Sequence, residues 1–373
     1  MVPVLLVSLM LLPGCLGQEE DEYLAVGESV AVLTEELRID GYAEDLVPIS
    51  SIAVSADGTI AMIQQQDALI RFFSRSGEPL GTFGGRGEGP GEFMMPVRLG
   101  WHGDTLWVLD RALQRASFVA PSLELARIQS HLPRQTRLGE EAGGGTGVTF
   151  FTMLWAPGPE GGLYANVASL GKAPPEPFTE YGTWAYVDSR GIIQTTILPL
   201  VADPSSGPLR NEPQSDIAPR VGRGAVASAS LDGRLAGTFS LTTVDMEGDT
   251  VFTRRYAFER EEIPDEVADR LLVEYAGERT AATGQTWAGG EVPRMYPPFQ
   301  GLLIGEDGSI WIRTRLRDRE RPYYVLAADG EPLGTVNLAE GGGIAAATLD
   351  RIWVIDRDSL GVQSVVRYGV EWN

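Results

Sequence analysis

Residues 106–111 read LWVLDR, and residues 352–357, near the other end of the chain, read IWVIDR. A second hexapeptide, GEPLGT, occurs without change at 77–82 and at 330–335. Short apolar runs bounded by Gly, Pro, Asp and Asn are typical of β-strands. Because the two echoes are independent and have matching phase, they indicate an internal repeat rather than chance similarity.

The repeating unit is a tight turn followed by a strand, and it occurs six times. The turns are Asp57-Gly58, Gly103-Asp104, Gly161-Gly162, Asp232-Gly233, Asp307-Gly308 and Leu349-Asp350. Asp-Gly favours hairpin turns whose residues adopt positive φ, and the alternating strand that follows is expected to be half buried. The shortest spacings, from 57 to 104 and from 307 to 350, are typical of a four-stranded propeller blade, and the longer ones imply insertions. The sequence therefore predicts an all-β fold, a six-bladed β-propeller with one short helical insertion.

Two further stretches resemble the NHL-type six-bladed propellers found in many bacterial exported proteins. Residues 84–93 (GGRGEGPGEF) are similar to the glycine-rich link of that family, between the outer strand of one blade and the inner strand of the next. Residues 108–118 are similar to its second and third strands. The resemblance covers blades one, two, five and six. It implies the fold and says little about activity, since propellers host binding modules, lyases and hydrolases.

The composition agrees with a turn-rich globular fold and excludes one class of partner. The chain has 373 residues, 43% of them hydrophobic, with 45 Gly and 24 Pro. Its formal net charge of −21 repels the phosphate backbone, so that nucleic-acid binding is not expected.

The N-terminal residues predict export and attachment to a membrane. Residues 1–17 (MVPVLLVSLMLLPGCLG) combine a short apolar run with a sequence that resembles a bacterial lipobox, in which Cys15 is lipidated. An acidic tether is predicted over 18–28. The expected location is extracytoplasmic, in the periplasm or at the cell surface, with the lipid as the membrane anchor. Cys15 is the only cysteine, so no disulfide is expected.

The propeller itself is predicted over residues 29–373. Insertions are expected near 133–148, 199–219 and 259–290, the last with a helix that begins at Pro264. The last blade ends in what looks like its third strand, and a strand from the N-terminus, around residues 29–33, is expected to complete it. Such closure would protect two sheet edges.

The first functional interpretation is a non-enzymatic, monomeric binding module for a protein, peptide or glycan. Arginine and aromatic side chains are enriched in binding hot spots. Those expected at the channel mouth or rim are Arg86, Arg111, Tyr296, Phe299, Arg315 and Arg357. No cofactor is expected in this interpretation.

The alternative is a metal-dependent hydrolase, similar to lactonases, or a lyase. A Ca²⁺ or Mn²⁺ ion in the channel would need carboxylate and amide oxygens from several blades. The candidate ligands are Asp67, Asp110, Asn166 and Asp356. For the two aspartates of the repeated hexapeptide, however, the resemblance implies a role in capping the turn into the third strand. The chain has two histidines, too few for a zinc site with three histidine ligands.

Overall fold

The computed structural model describes the greater part of the chain after residue 23. The described residues are 24–25, 29–138, 149–169, 175–179, 182–199, 214–218, 225–231, 237–258, 261–270, 273, 296, 299–315 and 320–373. The predicted signal peptide, Cys15 and most of the predicted tether lie outside them. Within the described residues, none of the helical segments is both long enough and apolar enough to cross a bilayer.

The strands form six sheets that correspond to six blades, which confirms the predicted propeller. Before the first blade come β1 (Leu24–Ala25) and β2 (Val32–Ile39). Blade one contains β3 (Ile49–Val54), β4 (Ile60–Gln64), β5 (Leu69–Phe73) and β6 (Pro79–Gly84). Blade two contains β7 (Pro96–His102), β8 (Thr105–Asp110), β9 (Arg115–Val119) and β10 (Leu125–Gln129). After β11 (Gln135–Leu138), blade three contains β12 (Phe150–Pro157), β13 (Leu163–Ser169), β14 (Thr183–Val187) and β15 (Ile192–Pro199).

The second half of the ring follows the same plan. Blade four contains β16 (Gln214–Ala218), β17 (Ala225–Leu231), β18 (Thr238–Asp245) and β19 (Thr250–Ala257). Blade five contains β20 (Gly301–Ile304), β21 (Ile310–Arg313), β22 (Glu320–Leu326) and β23 (Pro332–Ala339). Blade six contains β24 (Gly343–Thr348), β25 (Arg351–Arg357) and β26 (Gln363–Glu371). Within each blade these strands are antiparallel and run in chain order from the innermost outward.

The core lies between the blades rather than within any one of them. Each junction between neighbouring blades holds its own cluster of buried apolar side chains. In β4, Ile60 and Met62 pack against blade six, whereas Ala61 and Ile63 pack against blade two. Because successive strand residues point to opposite faces, a second strand that lies between two neighbouring blades needs apolar residues on both of its faces, as at positions 60–63 of β4.

The N-terminal segment closes the ring. β2 pairs antiparallel with β26 and forms the outermost strand of blade six, at and just after the residues predicted for this role. Before it, β1 pairs in parallel with β19 of blade four, and Val30 pairs in parallel with Thr335 of blade five. Residues 24–25 and 29–39, here called the N-terminal belt, therefore lie along the outer edges of blades four, five and six.

Strands lie within three of the ranges that the sequence assigns to the tether or to insertions. The range given to the tether contains β1, the range given to the first insertion contains β11, and β16 lies in the range given to the second. β11 pairs with both β12 and β15, so that the strands of blade three form a closed cycle of pairings. The predicted turn Asp232-Gly233 lies outside the described residues, and the other five turns lie between the first and second strands of their blades.

The predicted helix is present where its start is described. Residues 265–270 are helical, and the Pro264 carbonyl accepts hydrogen bonds from the N–H groups of Val267 and Ala268. Proline suits the first turn of a helix because its missing N–H would have no partner there. Most of the predicted 259–290 insertion lies outside the described residues.

Candidate functional site

The two faces of the ring carry different parts of the repeat. Because the strands of a blade are antiparallel, each inner strand begins, and each second strand ends, at the same face. The links between blades also lie there, and we call it the link face. The opposite face carries turns such as Asp57-Gly58 and Gly103-Asp104, and we call it the hairpin face.

Most of the predicted site residues lie at the link face. Arg86 belongs to the link into blade two, and Asp67 follows β4. The remaining members of this group lie at or just after the ends of second strands: Asp110, Arg111, Arg315, Asp356 and Arg357. Asn166 differs, because it lies in the middle of β13, buried opposite Trp184 and Met153. Its Oδ1 has no hydrogen-bond partner among the described residues.

The link face contains a cavity of about 440 Å³ beside the inner strands of blades one and six. Arg321, from the start of β22, and Arg357, from the end of β25, line it together with the backbone of residues 341–343. Ser50, Ser51 and Gln363 complete its polar lining. Asp, Glu and His are absent from the lining as far as the structure describes it. Two guanidinium groups with no carboxylate among the described lining residues make this cavity suited to an anion.

Glycines shape the wall of this cavity. Gly341 has φ +100°, and a Cβ there would lie 2.8 Å from the Arg357 carbonyl oxygen, so a side chain does not fit. A Cβ on Gly343, in contrast, would meet nothing within 4 Å. The Arg321 Nε is buried without a partner among the described residues. The Arg357 side chain is exposed.

Asp110 has the capping role that the resemblance implied. Its side chain is fully buried, and Oδ2 accepts hydrogen bonds from the N–H groups of Met94 at 2.7 Å and Met95 at 3.1 Å. Oδ1 accepts a third bond from the Leu113 N–H at 2.9 Å. The carboxylate therefore joins the glycine-rich link to the turn between β8 and β9. Both oxygens are engaged by backbone donors.

Asp356 occupies the same position in blade six and has a different partner. Its carboxylate is half-buried and pairs at 3.2 Å with Arg38 of the N-terminal belt, which also binds Glu35. The hydrogen bonds from Arg38 lower the pKa of Glu35. The described residues contain no group of three or more His, Cys, Asp or Glu side chains close enough to hold a metal ion together.

Two of the predicted ligand-binding residues take part in intramolecular contacts at the glycine-rich link. Arg86 is exposed and donates a hydrogen bond at 2.7 Å to the Gln66 carbonyl. The Arg111 side chain is exposed, and its backbone N–H donates to the Met95 carbonyl. Arg115, which the sequence did not single out, donates to three carbonyls of the link, those of Glu88, Gly89 and Glu92. Hydrogen bonds donated by Arg86 and Arg115 thus hold the glycine-rich link in place.

The three residues predicted near blade five separate into two environments. The Arg315 guanidinium lies 3.9 Å from the ring centroid of Tyr296 and forms an ion pair with Glu261. Phe299, in contrast, is only 3% exposed and packs edge-on against Phe239, with 5.5 Å between ring centroids. Its expected place on a binding surface is therefore corrected: it is a core residue of the junction between blades four and five.

The hairpin face has a second cavity, of about 460 Å³, with a different electrostatic character. Arg351 and Arg367 line it, and both donate to Glu36 of the N-terminal belt, at 3.1 and 2.9 Å. Arg351 also pairs with Asp350. The charges of Arg351 and Arg367 are thus compensated within the molecule, whereas the described lining of the link-face cavity contains no carboxylate.

The sequence interpretation named Arg357 but missed Arg321 and the 341–343 backbone. Arg321 lies outside the repeated hexapeptides. It is at the start of the third strand of blade five, and the four residues before that strand lie outside the described part. One sequence feature could have indicated this cavity, the run Gly341-Gly342-Gly343. It precedes the inner strand of blade six, as the glycine-rich link precedes the inner strand of blade two.

Comparison with known proteins supports the fold alone. No protein-family model matches the chain, and no curated protein matches its sequence. Several solved structures match nearly the whole chain, among them the following three. A proposed exported protein from Bacteroides fragilis has 12% identity and a TM-score of 0.51, over 95% of this chain and 98% of that chain. A DUF4221 family member from Bacteroides vulgatus has 10% identity and a TM-score of 0.48, over 94% and 98%. A gluconolactonase from Xanthomonas campestris has 10% identity and a TM-score of 0.42, over 94% and 98%.

Proposed function

We propose that this chain is a binding module whose link-face cavity receives an anionic group of a protein, peptide or glycan ligand. The observation that carries the proposal is that Arg321 and Arg357 both line a cavity whose described lining contains no carboxylate. In a chain of formal net charge −21, such a site is a local exception to an acidic surface. Its described lining offers hydrogen-bond donors for an anion and contains no Asp, Glu or His that could activate the Ser50 or Ser51 hydroxyl, which favours binding over catalysis.

A labelled tetraglutamate peptide, followed by fluorescence anisotropy at physiological salt, is the first probe. We expect saturable binding that Arg357→Glu weakens at least tenfold, because it replaces a donor with a repelling charge. Arg190→Glu is the matched control: Arg190 is an exposed arginine in blade three that pairs with Asp188. This substitution makes the same charge change at a position outside the cavity lining. Equal losses in the two variants would mean that overall charge, and not the cavity, governs binding.

Filling the cavity provides an independent test without a charge change. Gly343→Val adds a side chain where a Cβ meets nothing within 4 Å. The variant is expected to keep its melting temperature and to lose binding of the peptide. Retained binding would place the ligand outside this cavity.

Export and lipid attachment through Cys15 belong to the same proposal, as does assignment to the NHL type. Support comes from the apolar run and lipobox-like sequence of residues 1–17 and from the motifs of four blades. The solved structure from Bacteroides fragilis is described as a proposed exported protein, which agrees with export. A Cys15→Ser variant should leave the membrane fraction and retain its fold, and membrane association of that variant would contradict the lipid anchor.

The metal-dependent alternative has a direct test. Melting temperatures are compared in EDTA, Ca²⁺ and Mn²⁺, with Mg²⁺ as the control for loose binding to an acidic surface, because a site-bound ion stabilises the folded state by mass action. We expect equal responses to the three cations. A saturable increase specific to Ca²⁺ or Mn²⁺, absent from Asp356→Asn, would favour the hydrolase or lyase instead.

A further inference from the structure

The GEPLGT hexapeptide of blade five binds an extended segment of the chain itself. The Ala31 N–H donates to the Thr335 carbonyl at 2.9 Å, and the Thr335 N–H donates to the Ser29 carbonyl at 2.6 Å. Gly334 makes room for this approach, since a Cβ there would lie 2.5 Å from the Ser29 carbonyl oxygen. Part of the N-terminal belt is thus held as an additional parallel strand beside β23.

The copy of the hexapeptide in blade one has the same backbone conformation. The φ angles are 83° at Gly77 and 87° at Gly330, and 149° at Gly81 and 147° at Gly334. Each copy leads into the outermost strand of its blade. The two sites therefore present matching main-chain surfaces.

The register determines where the backbone groups of Thr82 point. Thr82 lies opposite Arg71, and farther along the same pair of strands the Gly85 N–H donates to the Ala68 carbonyl. Since hydrogen-bonded and non-hydrogen-bonded pairs alternate in an antiparallel ladder, the Arg71–Thr82 pair is non-hydrogen-bonded. The N–H and C=O of Thr82 therefore point away from β5, as those of Thr335 point toward the belt.

The sites differ in what covers them. Leu333 of blade five is partly buried against the cluster that contains Ala31. The equivalent Leu80 of blade one is 52% exposed, and within the described part of the chain no strand pairs with the outer side of β6. The side chain of Leu123, half-exposed, lies beside Gly81 where the Ser29 carbonyl lies beside Gly334. It is the movable end of a side chain, so an incoming strand can displace it.

We propose that the outer edge of blade one binds an extended, uncharged peptide segment of a partner protein as a parallel strand beside Thr82. The precedent is within the molecule, where Ser29-Val30-Ala31 fills the equivalent site of blade five. Because that segment is already engaged in its own chain, the occupant of blade one is another protein. Main-chain hydrogen bonds provide the affinity, and Leu80 provides an apolar contact. This surface is on the rim and is separate from the cavity at the link face.

The probe is a fluorescein-labelled peptide with the uncharged sequence of residues 29–34, followed by anisotropy with the full chain. We expect saturable binding that Leu80→Glu weakens at least tenfold. Leu123→Ala should strengthen binding, because it clears the place beside Gly81. Val251→Glu is the matched control, since Val251 is a 56% exposed valine in the outermost strand of blade four. A peptide N-methylated at the residue corresponding to Ala31 lacks the donor for the Thr82 carbonyl and should not bind.

Hydrogen exchange of the complex locates the peptide. Slower exchange of the Thr82 amide, with no change at Thr335, is the expected result. Slower or faster exchange at Thr335 instead would mean that the peptide exchanges with the N-terminal belt, which overturns the proposal. Absence of binding overturns it too, and so does self-association of the chain that Leu80→Glu abolishes, because the edge would then pair with a second copy.

Discussion

Blade two and blade six contain nearly the same hexapeptide, and their aspartates have different partners. Asp110 is buried and binds three backbone N–H groups, whereas Asp356 is half-buried and pairs with the Arg38 guanidinium. In blade two, the donors come from the glycine-rich link that enters the blade and from the following turn. In blade six, the fourth strand comes from the N-terminus and carries Arg38 with it. The repeated hexapeptide thus determines the position of the second strand. The segment that lies beside its final aspartate determines which groups that carboxylate binds.

The comparison predicts that blade six depends most on the N-terminus. Deletion of residues up to Leu37 removes most of β2, exposes the edge of β26 and leaves Arg351 and Arg367 without Glu36. We expect the melting temperature to fall by more than about 10 °C, a loss of several kcal/mol in a chain of this size. Calorimetry measures it, and a truncation that ends at residue 28 serves as the control because it keeps β2. An unchanged melt of the longer deletion would contradict closure by this strand.

The next largest effect is expected at blade two. Asp110→Asn places an amide NH₂ against backbone donors, because both carboxylate oxygens accept N–H groups. A buried donor that loses its acceptor costs about 1–3 kcal/mol. Urea unfolding should show a loss of about 2 kcal/mol or more, and a loss below about 0.5 kcal/mol would show that the link does not depend on this carboxylate.

The same substitution in blade six should have a small effect. Asp356 and Arg38 are each about one third exposed, with side-chain exposures of 35% and 36%. Partly exposed ion pairs contribute about 0–1 kcal/mol, so Asp356→Asn should cost less than about 1 kcal/mol in the same measurement. Equal losses for Asp110→Asn and Asp356→Asn would show that the two carboxylates contribute equally to stability, whatever their partners.

The smallest expected effect is the pH-dependent contribution of Glu35 to the stability of blade six. The hydrogen bonds from Arg38 lower the pKa of Glu35 in the folded state. A lowered folded-state pKa contributes stability that is present above the ordinary glutamate value and is lost as pH falls through the folded value. Glu35→Gln should therefore lower the melting temperature slightly at pH 7, and this difference should become smaller as the pH falls below the ordinary glutamate pKa. A constant difference between pH 7 and pH 3 would show that the charge of Glu35 is not involved.

The fold was predictable because its signals are local. Turns such as Asp57-Gly58, the two pairs of hexapeptides and the glycine-rich link each act over a few residues, and together they define the blade. The bonding of Asp110 was predictable for the same reason, since its donors lie within 16 residues of it. The partner of Asp356 lies 318 residues away, and no local pattern indicates Arg38. Phe299 was assigned to a binding surface because, in a proline-rich segment, the sequence does not distinguish an aromatic residue of the core from one at the surface.

The N-terminal belt also determines how the propeller responds to mechanical load. A pull on the chain that precedes Leu24 reaches three attachments in series: two residues on blade four, the Ser29–Ala31 contact on blade five, and the eight-residue strand of blade six. The two short attachments lie first along the path and the longest lies last. A tether anchored upstream would therefore detach from blades four and five before any force opens the ring, so that the first two contacts protect the closure from tension.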